Sequence, residues 1–196
     1  MKPTQNWDKT QATMGGSGER LSAGGHIVKI VGVEMRQSNQ GREMMVLFFD
    51  IDEGGEYDGM FKRKYQSANA YGKAKWPNGG TYYQLTTDKD GNTNPRFKGL
   101  MQAFEKSNNG YRWQWQELTL KNLHVGLVFG EEEYLGNDGM VHTSVKARYV
   151  CEADKALEQP VPEFKKLAPS DNNGYVDQGG GGNGGFTEVQ DDELPF

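Results

Sequence analysis

One cysteine, three histidines and no long apolar run are the first things the 196-residue chain is short of. Cys151 alone cannot form an internal disulfide, and with His26, His124 and His142 scattered it makes no cluster of zinc-ligand spacing. No segment approaches the roughly 20 apolar residues that a membrane span needs, and no basic, apolar, small-residue leader opens the chain. A cytoplasmic protein without metal or cofactor is expected. Motifs of phosphate-cradling loops, nucleophile elbows and HExxH metal sites are also missing, and Gly15–Gly18 lacks the following Lys and Ser/Thr of a P-loop. Asp88–Asn92 begins like a calcium loop, but Thr93 and Gly99 stand where Gly and Glu are required, so it reads as a turn. Glu131, Glu132 and Glu133 at a strand end read as a solvated rim, since neighbouring strand side chains point to opposite faces.

Glycine is in excess instead: 27 residues, about twice the usual share of about 7%. Charge is unevenly placed. Residues 1–150 hold 19 Lys and Arg against 17 Asp and Glu, or +2, whereas residues 151–196 hold 3 against 10, or −7, together the net −5. A slightly basic body with an acidic end points to nucleic acid or to an acidic interaction tail. Residues 170–187 form a glycine-rich linker too poor in apolar groups to order its backbone, and the acidic tip 188–196 hangs on it. Residues 1–25, with Gly15, Gly16, Gly18, Gly24 and Gly25, read as a flexible arm, and 152–169 as an extended connector.

Between the ends the period is mostly two. His26–Arg36 and Arg42–Ile51 read as strands joined by a hairpin loop, and Gly59–Gln66 as a third strand. Leu123–Glu132 and Met140–Cys151 pair across Gly136–Gly139. In the last of these, Val141, Val145, Ala147, Tyr149 and Cys151 fall on a core face and His142, Ser144, Lys146 and Arg148 on a wet one. One helix interrupts: Phe97, Leu100, Met101 and Phe104 stand at i, i+3, i+4 and i+7 behind Asn94 as N-cap and Pro95, with Gly110 as the stop. Strand, strand, strand, helix, strand, strand over residues 26–151 is the order of the five-stranded OB-fold barrel, an all-β class with one helix; another small barrel or an α+β sandwich shares the order.

Two features point to function. Tyr57, Phe61, Tyr65, Tyr71, Trp76 and Tyr82 are interleaved with Lys62, Arg63, Lys64, Lys73 and Lys75, the mixture sequence-neutral single-strand binding requires: rings stack on base faces and cations follow the phosphates. Lys146 and Arg148 on the wet face of the last strand add to the phosphate set. Trp113 and Trp115 read as packing against the barrel. The second feature is Asp191-Asp192-Glu193-Leu194-Pro195-Phe196, where a terminal ring can enter a pocket while carboxylates meet Arg or Lys. About 20 flexible residues hold such a tip roughly 25 Å from the body.

With Asp191, Asp192, Pro195 and Phe196 matching closely, Leu194 at the aliphatic place and Glu193 for an aspartate, the chain resembles the bacterial and bacteriophage single-stranded DNA-binding proteins. Gln66–Thr93 looks like an insertion, so a phage-type or divergent member is the better comparison. The resemblance implies coating of single-stranded DNA and recruitment of replication, recombination and repair proteins through the tip. The missing catalytic motifs point to no enzyme activity, and the sequence leaves a homo-oligomer open. The rival readings are a protein-holding adaptor and a metal-dependent nuclease using Asp50, Asp52 and Glu53.

Overall fold

The computed structural model describes residues 19–69 and 75–167. Five strands, β1 (Gly24–Gln37), β2 (Glu43–Ile51), β3 (Thr81–Leu85), β4 (His124–Leu135) and β5 (Val141–Cys151), form one open antiparallel sheet in the order β3-β2-β1-β4-β5. Two helices, α1 (Met60–Asn69) and α2 (Pro95–Ser107), lie against it. Among the described residues no helix is long and apolar enough to cross a membrane.

Alternation sets the inner face. Val28 and Ile30 of β1, Met45, Leu47, Phe49 and Ile51 of β2, and Val125, Leu127 and Phe129 of β4 meet Met60 and Phe61 of α1 and Phe97, Leu100, Met101 and Phe104 of α2 in one buried cluster. α2 begins as its sequence requires: the Arg96 N–H donates to Asn94 Oδ1 at 2.9 Å, and Pro95 sits where no N–H is needed. At its other end the Asn108 amide donates to Phe104 O and His124 O at 2.8 and 2.7 Å, tying the helix to β4.

The third strand is not at Gly59–Gln66. That stretch is α1, and β3 is the later run Thr81–Leu85. Two physical reasons stand out. Tyr57, Phe61, Lys64 and Tyr65 recur at helical spacing as well as alternating, and the residues are good helix formers. The N-cap is remote: Asp50 on β2 accepts the Phe61 and Lys62 N–H groups at 2.9 and 3.2 Å, satisfying the helix start from another strand. Burial pushes the Asp50 carboxyl up, opposed by those backbone donors and by Arg63. Among the described residues there are therefore two α-helices, not one.

The last strand corrects a second expectation. A bulge at Arg148 shifts the register between Val128 and Phe129, so Val145, Ala147 and Val150 pack on the core, while Tyr149 and Cys151 turn to the other face. The ends of the body are also ordered. Leu21 lies in the core and Gly24 and Gly25 belong to β1. Beyond β5, a 3-10 turn at Ala153–Glu158 buries Ala156, and the Lys165 N–H donates to Glu131 O at 3.0 Å while Glu133 N–H donates to Lys165 O at 2.9 Å.

The outer face is split in two. Over β1 and β4 the 3-10 turn lies so close that a Cβ on Gly25 would stand 1.7 Å from Ala156 O, and one on Gly126 2.9 Å from Ala156 Cβ. Only glycine permits this approach. Over the second half of β1, at Gly32, no turn among the described residues approaches in this way.

Candidate nucleic-acid interface

Register defines the open half. Gly32, Glu34 and Arg36 of β1 stand beside Phe48, Val46 and Met44 of β2, which pair in turn with Thr81, Tyr83 and Leu85 of β3, all pointing away from the core. A Cβ on Gly32 would meet the Phe48 ring at 3.3 Å, so that ring reaches across to the β1 backbone. The Arg36 guanidinium stands 6.0 Å from the centre of the same ring and donates to Glu34 at 2.9 Å. Burial pushes the Tyr83 hydroxyl up, and the neighbouring charge of Arg36 pulls the other way. Phe48 and Tyr83 are half-buried, Arg36 is exposed, and Val46 is sealed beneath them. Two half-buried rings with a cation near both form a surface on which a base can stack and a phosphate can replace the Glu34 carboxylate. Neither Phe48 nor Arg36 stands out in sequence, because each becomes part of a row only once three strands are in register.

The residues expected from sequence are placed differently. Phe61 is core, edge-on to Phe49 at 5.5 Å, and offers no face to a base. Tyr57 is half-buried with its edge against His26, and Tyr82 packs inward, where burial pushes its hydroxyl up to about 12. Tyr65 and Trp76 face one another at 5.5 Å, with Trp76 Nε1 donating to Gly80 O at 2.8 Å. Arg63 bonds Glu19 and the Asp58 carbonyl, and Lys64 donates to Glu19 O at 2.6 Å. Burial pushes the Lys64 ammonium down. Lys62 and Lys75 are exposed and form no salt bridge among the described residues. Tyr71, Lys73 and the tip Asp191, Asp192, Glu193, Leu194, Pro195 and Phe196 lie outside the described residues.

Lys146 and Arg148 converge on one carboxylate. Glu132 accepts from Lys146 at 2.6 Å and Arg148 at 2.8 Å, and although burial works against it the two cations hold its carboxyl below the usual range. Both are thereby committed inside the body. The three carboxylates of the nuclease reading are divided in the same way: Asp50 caps α1, Asp52 meets His124 at 2.9 Å, and Glu53 meets His26 Nδ1 at 3.1 Å. Of the tryptophans read as packed, Trp113 touches the core but Trp115 is 74% exposed.

Compared with known proteins, the chain matches no family model and no curated sequence.

Proposed function

We propose that this chain is a nucleic-acid-binding protein. Its ligand is single-stranded DNA, bound without sequence preference, and it is the phage-type relative of the single-stranded DNA-binding proteins that its C-terminal residues resemble. The observation that carries the reading is the cluster of Phe48, Tyr83 and Arg36 on the outer sheet face, on the half that the 3-10 turn at Ala153–Glu158 leaves aside. The sheet order, α2 between β3 and β4, and the approach of β5 to the turn at Asn78–Gly80 favour an OB-fold barrel. The body holds the strand in the host cytoplasm, and the tip, Asp191 to Phe196, brings replication, recombination or repair proteins to it. The protein coats DNA and does no chemistry on it.

Titration of a fluorescent oligothymidine, followed by anisotropy, tests the binding half. Phe48→Ala and Tyr83→Ala should each weaken binding by about 1–3 kcal/mol with the thermal transition retained. Failure of the unaltered chain to bind at low salt would overturn the reading. Pull-down from a host lysate tests the other half: deletion of residues 188–196, or Phe196→Ala alone, should abolish partner capture and leave oligothymidine binding in place.

A further inference from the structure

The loop between α2 and β4 carries an arrangement that the sheet face does not use. Trp115 is 74% exposed and stands at φ +60°, a left-handed conformation that a bulky side chain rarely adopts. It is not loose. Its ring lies 6.1 Å from Trp113 and 6.4 Å from Phe97, and Trp113 in turn is edge-on to Phe97 at 6.3 Å, so three rings share one mount rooted in the core by Phe97. Trp113 is held from behind, its backbone N–H donating to Glu105 at 2.9 Å, while its buried indole N–H has no partner among the described residues. Leu118, in the same connection between α2 and β4, is 72% exposed. A backbone held in a costly conformation that turns its largest apolar ring toward solvent marks a surface meant for contact.

The charges around it say what kind. Lys29, Arg36, Lys146 and Arg148 on the sheet are each tied to a carboxylate. Arg96 and Lys98, on either side of Phe97, and Arg112 and Lys121, on either side of the Trp113–Trp115 loop, form no salt bridge among the described residues. Glu117 is the acidic neighbour within the loop. Unneutralised cations beside an exposed indole match a ligand with anionic repeats and flat apolar faces, which is a single-stranded nucleic acid.

We infer that Trp115 is a second base-stacking site, where a strand that has crossed the outer sheet face and rounded the β3 edge, against which α2 lies, is held again on α2 and its following loop by Arg112 and Lys98. The inference rests on the single-strand reading above. It assigns the chain a longer footprint than the sheet face alone provides.

Anisotropy of labelled oligothymidines of two lengths tests it: about 6 nucleotides, within the range that a single OB-fold sheet accommodates, and about 20, beyond it. Glycine is the substitution of choice at position 115, because it removes the ring and suits the left-handed backbone. Trp115→Gly should lower affinity for the long strand by about 5- to 140-fold, the equivalent of one lost stack, and leave the short strand unchanged. Phe48→Ala should weaken both. Lys98→Ala with Arg112→Ala should make the log-affinity against log-salt slope shallower by about 1.4 for the long strand only. Equal behaviour of Trp115→Gly and the unaltered chain on both lengths would overturn this inference alone, whereas binding of neither length by the unaltered chain would overturn the reading beneath it. A tryptophan emission shift that follows deletion of residues 188–196 but not addition of oligothymidine, and that is lost in Trp115→Gly, would give the platform to the chain's own tip, and overturn the inference as well.

Discussion

Lys146 and Arg148 provide the sharpest contrast between what a strand pattern offers and what the folded protein has available. If both touched phosphates, replacing them by alanine would make the salt slope shallower by about 1.4, or about 0.7 per cation. Glu132, on β4 and two strands from Phe48 on β2, neutralises both, so Lys146→Ala with Arg148→Ala should leave the slope unchanged. What changes is stability. The Glu132 side chain is only 13% exposed, but Lys146 is 47% exposed and its pairing is largely screened, so the Arg148 bond supplies most of the effect. With one charge-assisted bond at about 1.5–3 kcal/mol and little from the other, Glu132→Gln should cost about 2 kcal/mol, or roughly 4–8 °C in thermal midpoint for a body of this size. The acid limb gives an independent check. Because the native carboxyl is held below its ordinary value of 4.5, its contribution is present above that value and disappears as pH falls through the native one. The gap between the unaltered chain and Glu132→Gln in calorimetric scans should therefore close as the pH is lowered below about 4.5. A double alanine variant whose salt slope falls by about 1.4 with its midpoint unchanged would refute the placement of these cations.

Two further outcomes follow from burial. Phe61→Ala should cost about 3–5 kcal/mol, seen as a much lower denaturation midpoint, and a variant that kept its midpoint but lost oligothymidine affinity would show Phe61 to be a surface stacker. The Tyr82 hydroxyl, raised from 10.0 to about 12, favours folding below pH 10 and loses that contribution as pH rises toward 12. Tyr82→Phe should thus lose less stability than the unaltered chain between those values in thermal scans across alkaline pH, and parallel curves would refute the buried placement.

Both hairpins and α2 are legible in the sequence because their signals are local: alternation over β1, β2 and β4, turn residues between strands, and a side-chain cap with proline at the start of α2. α1 is not, because the group completing its first turn, Asp50, comes from another strand and no window of residues contains both. The bulge at Arg148 is equally silent, since an unbroken alternation reads the same with or without a slipped residue. The candidate interface suffers most. A dense run of aromatics and lysines from Tyr57 to Tyr83 looks like a binding surface, yet the fold spends Phe61 and Tyr82 on the core and Arg63 and Lys64 on the segment at Glu19. Phe48, alone amid apolar neighbours, becomes a surface ring through its register with Gly32 and Thr81.

The sealed half of the sheet has an implication for what mutation can do to this molecule. Where Gly25 and Gly126 pass beneath Ala156, any side chain would push the 3-10 turn away and expose the outer side of β4, including Val128, which is now fully buried. Most damaging changes take a surface away from a protein; this one would add one, apolar and flat, beside a face already suited to adhesion. Selection at these two positions would then be against stickiness, and a carrier of such a change would be recognised by clumping before any loss of binding could be measured.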